Sequence, residues 1–234
     1  MLGVEKINSF YGLSHVLHDV SLTIGEGETV ALLGRNGAGK TTTLKTIMGI
    51  LKPRTGRIVL SGEDLTLLPT YRVAQKGICF IPEDRQVFPN LTVFENLKIS
   101  RLPVGGGKRL DDFLDWVFTL FPPLKERIAH KGSQLSGGEQ QMLTIARGLG
   151  TEPKIMLVDE PTEGLMPFLV ETIREVLVQI QEKGIAILLV EQRFRMALSI
   201  ASRAYLIEKG QIRWEGSSAD LLEDEETRIR YLGV

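Results

Sequence analysis

Glycines, one lysine and one threonine are concentrated in residues 34–41, which read GRNGAGKT. Glycines at this spacing let backbone N–H groups turn toward phosphate oxygens, and Lys40 supplies a point charge for the outer phosphates. The hydroxyl of Thr41 is a suitable ligand for Mg²⁺. The residues that we predict to contact a nucleotide in this loop are Gly34, Asn36, Gly37, Ala38, Gly39, Lys40, Thr41 and Thr42.

The structural alternative is a glycine-rich turn that joins a strand to a helix and binds nothing. The surrounding sequence favours the phosphate loop, because the apolar run Thr29–Leu33 precedes it and a helical stretch starts near Lys40. The loop by itself does not distinguish a kinase from a GTPase or a transport ATPase.

A second group of reactive residues ends the apolar strand predicted at Ile155–Asp159. Asp159 at the carboxyl end of a buried strand is placed to organise Mg²⁺ through water. The adjacent Glu160 is a candidate general base for an attacking water molecule. The alternative is that both acids begin a solvated loop.

Further strands alternate with helical segments along the chain, which indicates an α/β fold. Val20, Leu22 and Ile24 alternate as on a half-buried antiparallel strand, whereas Thr29–Leu33 is apolar throughout, as on a strand covered on both faces. The other predicted strands are Arg57–Leu60, Ile78–Pro82, Ile155–Asp159, Ala186–Val190 and Ala204–Ile207.

Residues 89–152 lack strand patterns and show helical periodicity instead. The apolar residues Leu110, Phe113, Leu114, Val117 and Phe118 recur at the spacing of one helix face. We therefore predict a single domain in which 1–88 and 153–234 form the core and 89–152 form an inserted helical subdomain. The glycine-rich segment 103–108 is predicted to be a loop within it.

Composition narrows the function classes. The formal net charge is −1 and the basic residues are scattered, which disfavours a nucleic-acid partner. The only cysteine, Cys79, lies in an apolar run and is predicted to be buried. No secretory signal or long uncharged apolar stretch is evident, so we expect any membrane role to come through protein partners.

The run Leu135-Ser136-Gly137-Gly138-Glu139-Gln140 precedes a predicted helix. Ser136 and Glu139 alone would make an ordinary capping box. Placed between the phosphate loop and the acidic strand, however, LSGGEQQ resembles the signature motif of ATP-binding-cassette (ABC) ATPases, and the resemblance covers essentially the whole chain.

This resemblance implies a fold, a cofactor and an assembly. The expected fold is a P-loop NTPase core with a mixed sheet, an antiparallel β subdomain and an inserted helical subdomain. In the family, two head-to-tail protomers enclose two ATP molecules with Mg²⁺, and each signature turn binds the γ-phosphate of ATP held by the partner. The signature residues concerned here are Ser136, Gly137, Gly138 and Glu139.

Four further positions follow from the resemblance. Tyr11 matches the aromatic residue that stacks on adenine, and the alternative is a core or surface tyrosine. Glu83 replaces the usual glutamine at a position that contacts Mg²⁺, which a carboxylate can also do. Gln192 replaces the usual switch histidine, and its amide can reach a γ-phosphate but does not titrate near neutral pH. The segment Thr162–Leu165 matches the loop that crosses the dimer interface but departs from its common sequence.

The catalytic residues expected from these assignments are Glu160, Lys40 and Gln192, and the expected Mg²⁺ ligands are Thr41, Glu83 and Asp159. The runs PEDR, PTEG, Glu191-Gln192 at the switch and YLGV are similar to the family branch that contains the smaller ATPases of bacterial branched-chain amino-acid importers and of urea and amide importers. The YLGV ending and EQQM favour the branched-chain amino-acid importers. Related urea and amide importers are the alternative. Phe88, after the Glu83 loop, is a candidate rim of the groove for a membrane subunit, or part of a plain exposed loop.

The expected partners are transmembrane permease subunits, a second ABC ATPase subunit and, indirectly, a periplasmic substrate-binding protein. The expected location is the cytoplasmic face of the plasma membrane. A soluble ABC regulator acting on nucleic acid is a second hypothesis, but relatives of that kind usually carry a second cassette or a long coiled coil. A phosphate-loop kinase is a third, and it leaves the LSGGE motif without a role.

Overall fold

The computed structural model describes residues 1–102 and 109–233, so the glycine-rich segment 103–108 lies outside the described residues. Two sheets and their covering helices make up this part of the chain. The first sheet has the strand order β2-β1-β4-β5 and its pairs are antiparallel. Its strands are β1 (Leu2–Tyr11), β2 (Ser14–Ile24), β4 (Thr55–Leu60) and β5 (Glu63–Asp64).

The second sheet is mixed and has the order β10-β9-β3-β8-β7-β6. All its pairs are parallel except that of the edge strand β10 with β9. Its strands are β3 (Thr29–Leu33), β6 (Ile78–Ile81), β7 (Ile155–Asp159), β8 (Ala186–Glu191), β9 (Arg203–Glu208) and β10 (Gln211–Ser217).

Helices cover the mixed sheet and fill most of the predicted insertion. A short 3₁₀ helix, Gly132–Gln134, precedes α6. The α-helices are α1 (Lys40–Ile47), α2 (Thr70–Gln75), α3 (Val93–Ser100), α4 (Leu110–Leu120), α5 (Pro122–Glu126), α6 (Gly137–Leu149), α7 (Pro167–Glu182), α8 (Phe194–Ile200), α9 (Ser218–Glu223) and α10 (Glu225–Tyr231).

Strand β3 lies between two hydrophobic cores. Ala31 and Leu33 pack with the helices of the insertion, whereas Val30 and Leu32 pack with the antiparallel sheet. All five residues of β3 are buried, which confirms the prediction that this strand is covered on both faces. The chain therefore fixes the start of the glycine-rich loop at a rigid position between the two cores.

The insertion shares the first of these cores with the mixed sheet. On α4, Phe113, Leu114 and Val117 are buried and Leu110 and Phe118 are partly buried, so the predicted helical period is confirmed. Among the described residues of 89–152 the regular elements are helices, apart from one isolated bridge, Thr92–Lys131. Its treatment as a separate subdomain stays a prediction, because these helices share a core with β6, β7 and β8.

Several elements differ from the sequence-based expectations at their ends or were not expected. Strand β6 ends at Ile81, one residue before Pro82, which has no N–H to donate to a strand partner. Strand β8 runs one residue further than predicted, to Glu191. Elements α2, β5, β10, α9 and α10 were not predicted, since they are short or half-exposed and show no clear period. The described residues include no helix long and apolar enough to cross a membrane.

Asn96 on α3 fixes the loop that joins β6 to the insertion. Its side chain is fully buried. The Oδ1 atom accepts a hydrogen bond from the Phe88 N–H at 2.9 Å. The Nδ2 atom donates to the carbonyl oxygens of Phe88, Leu91 and Thr92 at 3.0–3.1 Å. One buried side chain thus makes four hydrogen bonds to the backbone of this turn, and it is the acceptor for the Phe88 N–H.

We expect Asn96→Ala to lower the free energy of unfolding by about 3 kcal/mol, because it removes four hydrogen bonds of a fully buried side chain, leaves the Phe88 N–H without its acceptor and opens a cavity. Urea denaturation followed by circular dichroism measures this change. The control is Asn90→Ala in the same loop, where the side chain is exposed and a change within about 0.5 kcal/mol is expected. Equal losses in the two variants would contradict the role of Asn96.

Candidate active site

Residues 34–41 join β3 to α1 through a backbone that requires glycine at several positions. A Cβ atom on Gly34 would lie 2.3 Å from the Ile207 carbonyl oxygen, so the loop is pressed against β9. Gly37 and Gly39 have φ of +76° and +113°, which side-chain-bearing residues rarely adopt. No side chain caps α1 at Gly39, so the N–H groups of its first turn remain available to a ligand.

Lys40 lies buried at the start of α1, where three oxygen atoms surround its ammonium group. Its Nζ donates to the carbonyl oxygens of Gly34 at 2.9 Å and Arg35 at 3.3 Å. The same nitrogen is 3.3 Å from Glu160 Oε1, and both side chains of this ion pair are nearly inaccessible to solvent. The pair is thus a desolvated contact between two of the predicted catalytic residues.

Glu160 follows β7 in a left-handed backbone conformation, with φ of 44°. Its N–H donates to the Val190 carbonyl oxygen at 2.9 Å, which ties it to the end of β8. The Gln192 amide donates to Glu160 Oε2, while Lys40 contacts Oε1. The structure therefore brings together the three residues that the sequence proposed as catalytic, and each carboxylate oxygen of Glu160 has a different partner.

Asp159 is buried at the carboxyl end of β7, and its Oδ1 has no hydrogen-bond partner. The pKa of Asp159 is raised to about 6, mainly by burial; the charges of Glu160 and Glu83 also raise it, whereas the Thr41 side chain and the charge of Lys40 lower it. Asp159 is therefore close to Thr41 and Glu83, the other predicted Mg²⁺ ligands.

This oxygen-rich set fits Mg²⁺, which prefers carboxylate and hydroxyl oxygens and keeps places for water and phosphate. The described residues contain no cluster of three His, Cys, Asp or Glu side chains suited to a metal. A cation at Asp159 would therefore share its coordination with Thr41 and a bound phosphate.

A pocket of about 390 Å³ opens at this edge of the mixed sheet. Its polar lining comes mainly from the glycine-rich loop and the carboxyl ends of β7 and β8. The lining residues are Val16, Asn36, Gly37, Gly39, Lys40, Thr41, Thr42, Glu83, Glu160 and Gln192. Gly34 and Ala38 are buried in the loop outside this lining.

Tyr11 and residues 136–139 also lie outside the lining, among the described residues. Tyr11 ends β1 and is about half exposed, at 48%. Its predicted contact with adenine stays a prediction. Within one chain the signature turn does not line this pocket. This is the arrangement expected if the turn acts at the nucleotide site of a second protomer.

The signature turn has the capping box that its spacing predicts. Ser136 N donates to Glu139 Oε2 at 2.7 Å, and Ser136 Oγ accepts from Glu139 N at 3.3 Å. Arg127 holds the other oxygen of Glu139 at 3.3 Å. A Cβ on Gly138 would lie 2.4 Å from Leu169 Cδ1 and one on Gly137 would meet the Arg85 guanidinium, so a larger residue at either position would displace that side chain.

Arg85 links three segments of the site, which the sequence did not indicate. Its Nη2 donates to the Glu163 carbonyl oxygen at 2.8 Å, and its Nη1 lies against Gly137. The loop after β6, the loop after β7 and the start of α6 therefore meet at one guanidinium. A second omission is Glu191, whose buried carboxylate was noted in the sequence only as the neighbour of Gln192.

A family model described as ABC transporter matches residues 17–163. The high-affinity branched-chain amino acid transport ATP-binding protein BraG of Pseudomonas aeruginosa is 42% identical over 236 residues, with all of both chains covered. The chain belongs to the ABC transporter family. The lipopolysaccharide export system ATP-binding protein LptB of Haemophilus influenzae is 34% identical over 243 residues, covering all of this chain and 97% of that protein.

A solved ABC cassette, MJ0796, is similar to this chain with a TM-score of 0.83 and 26% identity over 93% of this chain and 99% of that one. Its structure is a dimeric post-hydrolysis state bound to ADP and Pi. The expected fold of ABC ATPases, with a mixed and an antiparallel sheet, is confirmed. This ABC protein is an ATPase subunit of a transporter and binds ATP.

We expect Gly34→Ala to disturb the phosphate loop of this ABC ATPase, because the new methyl group overlaps the Ile207 carbonyl oxygen. The free energy of unfolding should fall by about 2 kcal/mol. Affinity for ADP should fall roughly tenfold, one decade corresponding to about 1.4 kcal/mol. Isothermal titration with ADP measures the affinity.

The matched control is Gly3→Ala on β1, where no atom lies within 4 Å of the added Cβ. This variant should bind ADP as the parent chain does. Unchanged ADP affinity in Gly34→Ala would contradict the steric argument.

Proposed function

We propose that this chain is the ATP-hydrolysing subunit of an importer that moves branched-chain amino acids across the bacterial inner membrane. The observation that carries this proposal is its full-length similarity to BraG, at 42% identity. The similarity to LptB, at 34%, favours a second candidate, a subunit of a lipopolysaccharide exporter. Both alignments cover all of this chain, so the higher identity to BraG supports the amino-acid importer.

The proposed reaction converts ATP and water into ADP and phosphate. Glu160 accepts the proton of the attacking water molecule, and its buried position beside Lys40 and Gln192 supports that role. Lys40 stabilises charge on the outer phosphates, and Gln192 donates its amide to the γ-phosphate. Thr41, Asp159 and Glu83 would hold Mg²⁺, which neutralises phosphate charge when bound.

The proposed assembly is a head-to-tail dimer of two ABC ATPase subunits, identical or different. The signature residues Ser136, Gly137 and Gly138, with Glu139 fixing their turn, would bind the γ-phosphate held by the partner. The separation of this turn from the pocket of its own chain supports the arrangement. Permease subunits would hold the dimer at the cytoplasmic face of the membrane, with a periplasmic substrate-binding protein acting through them.

We expect Glu160→Gln to bind ATP and lose at least about 100-fold in hydrolysis, because an amide cannot accept the proton of water. Phosphate release measures hydrolysis, and gel filtration with ATP should show a stabilised dimer. The control Glu126→Gln changes an exposed carboxylate on α5 and should hydrolyse ATP normally. Undiminished hydrolysis in Glu160→Gln would remove Glu160 from the base role.

The same variant tests the transported molecule. In cells that depend on this chain, Glu160→Gln should abolish uptake of labelled leucine and leave lipopolysaccharide export unchanged. The reverse pattern would establish the exporter instead.

Phe88 tests the contact with the membrane subunit. Its ring is 43% exposed and lies 4.3 Å from the Arg147 guanidinium, while Asn96 holds its backbone. Because the backbone is fixed independently, we expect Phe88→Ala to lower transport roughly tenfold, the loss of one exposed aromatic anchor. ATP binding should persist in that variant.

Transport and ATP binding are compared on the complex reconstituted in vesicles. The control Leu67→Ala removes an apolar side chain that is 75% exposed and lies beyond β5. Loss of ATP binding in Phe88→Ala would show that Phe88 serves the core rather than a partner.

A further inference from the structure

The carboxylate of Glu191 ends β8 inside the protein and accepts hydrogen bonds on both oxygens. Its relative exposure is 2%. Oε1 accepts from Thr162 N at 3.1 Å and from Thr162 Oγ1 at 2.6 Å. Oε2 accepts from the N–H groups of Gln192 at 3.1 Å and Arg193 at 3.2 Å. An ionised carboxylate matches this surrounding, since it offers only acceptors and all these groups are donors.

Thr162 belongs to the loop that leaves β7, and it is fully buried. Backbone bonds close this loop on itself, from Glu163 N to Glu160 O and from Leu165 N to Thr162 O, both at 3.2 Å. Arg85 holds the Glu163 carbonyl oxygen from the outer side. The loop is therefore a compact turn that the polar contacts of Glu191 and the buried side chain of Leu165 attach to the interior.

The other oxygen of Glu191 fixes the residue that contacts Glu160. The Gln192 N–H donates to Glu191 Oε2, and the Gln192 side-chain amide donates to Glu160 Oε2. Glu160 in turn pairs with Lys40. A continuous series of polar contacts thus runs from Thr162 through Glu191 and Gln192 to Glu160.

We propose that Glu191 is a positioning residue that couples the loop Thr162–Leu165 to Glu160 through Gln192. A displacement of the loop, such as contact with a second subunit would produce, would then move the amide of Gln192 and reorient Glu160. This inference rests on the proposed role of Glu160 as base, and it assigns to Glu191 no contact with nucleotide.

A neutral amide cannot replace the Glu191 carboxylate, because it offers one acceptor oxygen in place of two. In Glu191→Gln, the amide nitrogen would face two donors on one side, so either the Thr162 pair or the Gln192–Arg193 pair would lose its acceptor. The phosphate loop makes no hydrogen bond to Glu191 among the described contacts. Loss of coupling should therefore affect turnover rather than ATP binding.

The test measures kcat and KM for ATP hydrolysis, together with ADP affinity and melting temperature, on the purified protein. We expect Glu191→Gln to lower kcat about 10- to 100-fold, because small misplacement of a catalytic group has effects of this size. The KM for ATP and the ADP affinity should change less than about twofold. Glu208→Gln, at the end of the adjacent strand β9, is the matched control and should retain normal kcat.

Thr162 provides a second test that keeps the carboxylate in place. Thr162→Val removes the hydroxyl donor at constant shape and should lower kcat about 3- to 10-fold, whereas Thr162→Ser should restore it. Thr162→Val combined with Gln192→Ala should lower kcat by less than the product of the single effects, since both act through one series of contacts. If Glu191→Gln does not fold, Thr162→Val and its combination with Gln192→Ala test the role of Glu191 in its place.

Three results would overturn the proposal while Glu160→Gln remains inactive. They are an unchanged kcat in Glu191→Gln or Thr162→Val, a parallel loss of ADP affinity and stability, and multiplicative effects in the double variant. If Glu160→Gln itself hydrolyses ATP, the proposed function fails first and Glu191 has no base to position.

Discussion

The parallel pairing of β3, β8 and β7 is the constraint on which the site depends. Leu33 pairs with Glu191 and Asp159 pairs with Val190, so the three strands end at the same edge of the sheet. Segments far apart in the sequence, the glycine-rich loop, Asp159–Glu160 and Glu191–Gln192, are therefore brought into contact by backbone register alone. Both faces of these strands are buried, which leaves the register little freedom to shift.

Two buried carboxylates at neighbouring strand ends, those of Glu191 and Asp159, have different hydrogen-bonding environments. Burial raises the pKa of Glu191, and the four hydrogen bonds that the carboxylate accepts oppose this effect. Asp159 keeps an oxygen without a partner, and its pKa rises to about 6. The Glu191 carboxylate accepts hydrogen bonds on both oxygens and holds two segments of the chain together. The Asp159 carboxylate has an oxygen without a hydrogen-bond partner, which can bind a ligand.

The sequence predicted those parts of the fold and site that have a local signal. The apolar run Thr29–Leu33 and the glycines after it specify strand, loop and helix over a few residues, and the capping spacing at Ser136 specifies the start of α6. The family, too, was recognisable from three motifs in the correct order, and this prediction is confirmed.

Contacts between distant segments had no such signal. Arg85 reaches Glu163 across 78 positions, and Glu191 reaches Thr162 across 29, so only the folded chain juxtaposes them. Strand β10 and helices α9 and α10 were missed because half-exposed elements show no clear hydrophobic period. The roles of Tyr11 and Glu83 rest on resemblance, since neither position has a chemical pattern of its own.

The close approach of Leu169 to Gly138 has a consequence for how such proteins can diverge. A residue larger than glycine at 138 requires Leu169 to move or to be replaced by a shorter residue, because the Cβ would lie 2.4 Å from Leu169 Cδ1. The first turn of α7 is therefore coupled sterically to the insertion as well as to the sheet that it covers. A chimera that exchanges the helical region between two relatives should be cut after this turn, because a cut before it separates residue 138 from the residue at 169 that packs on it.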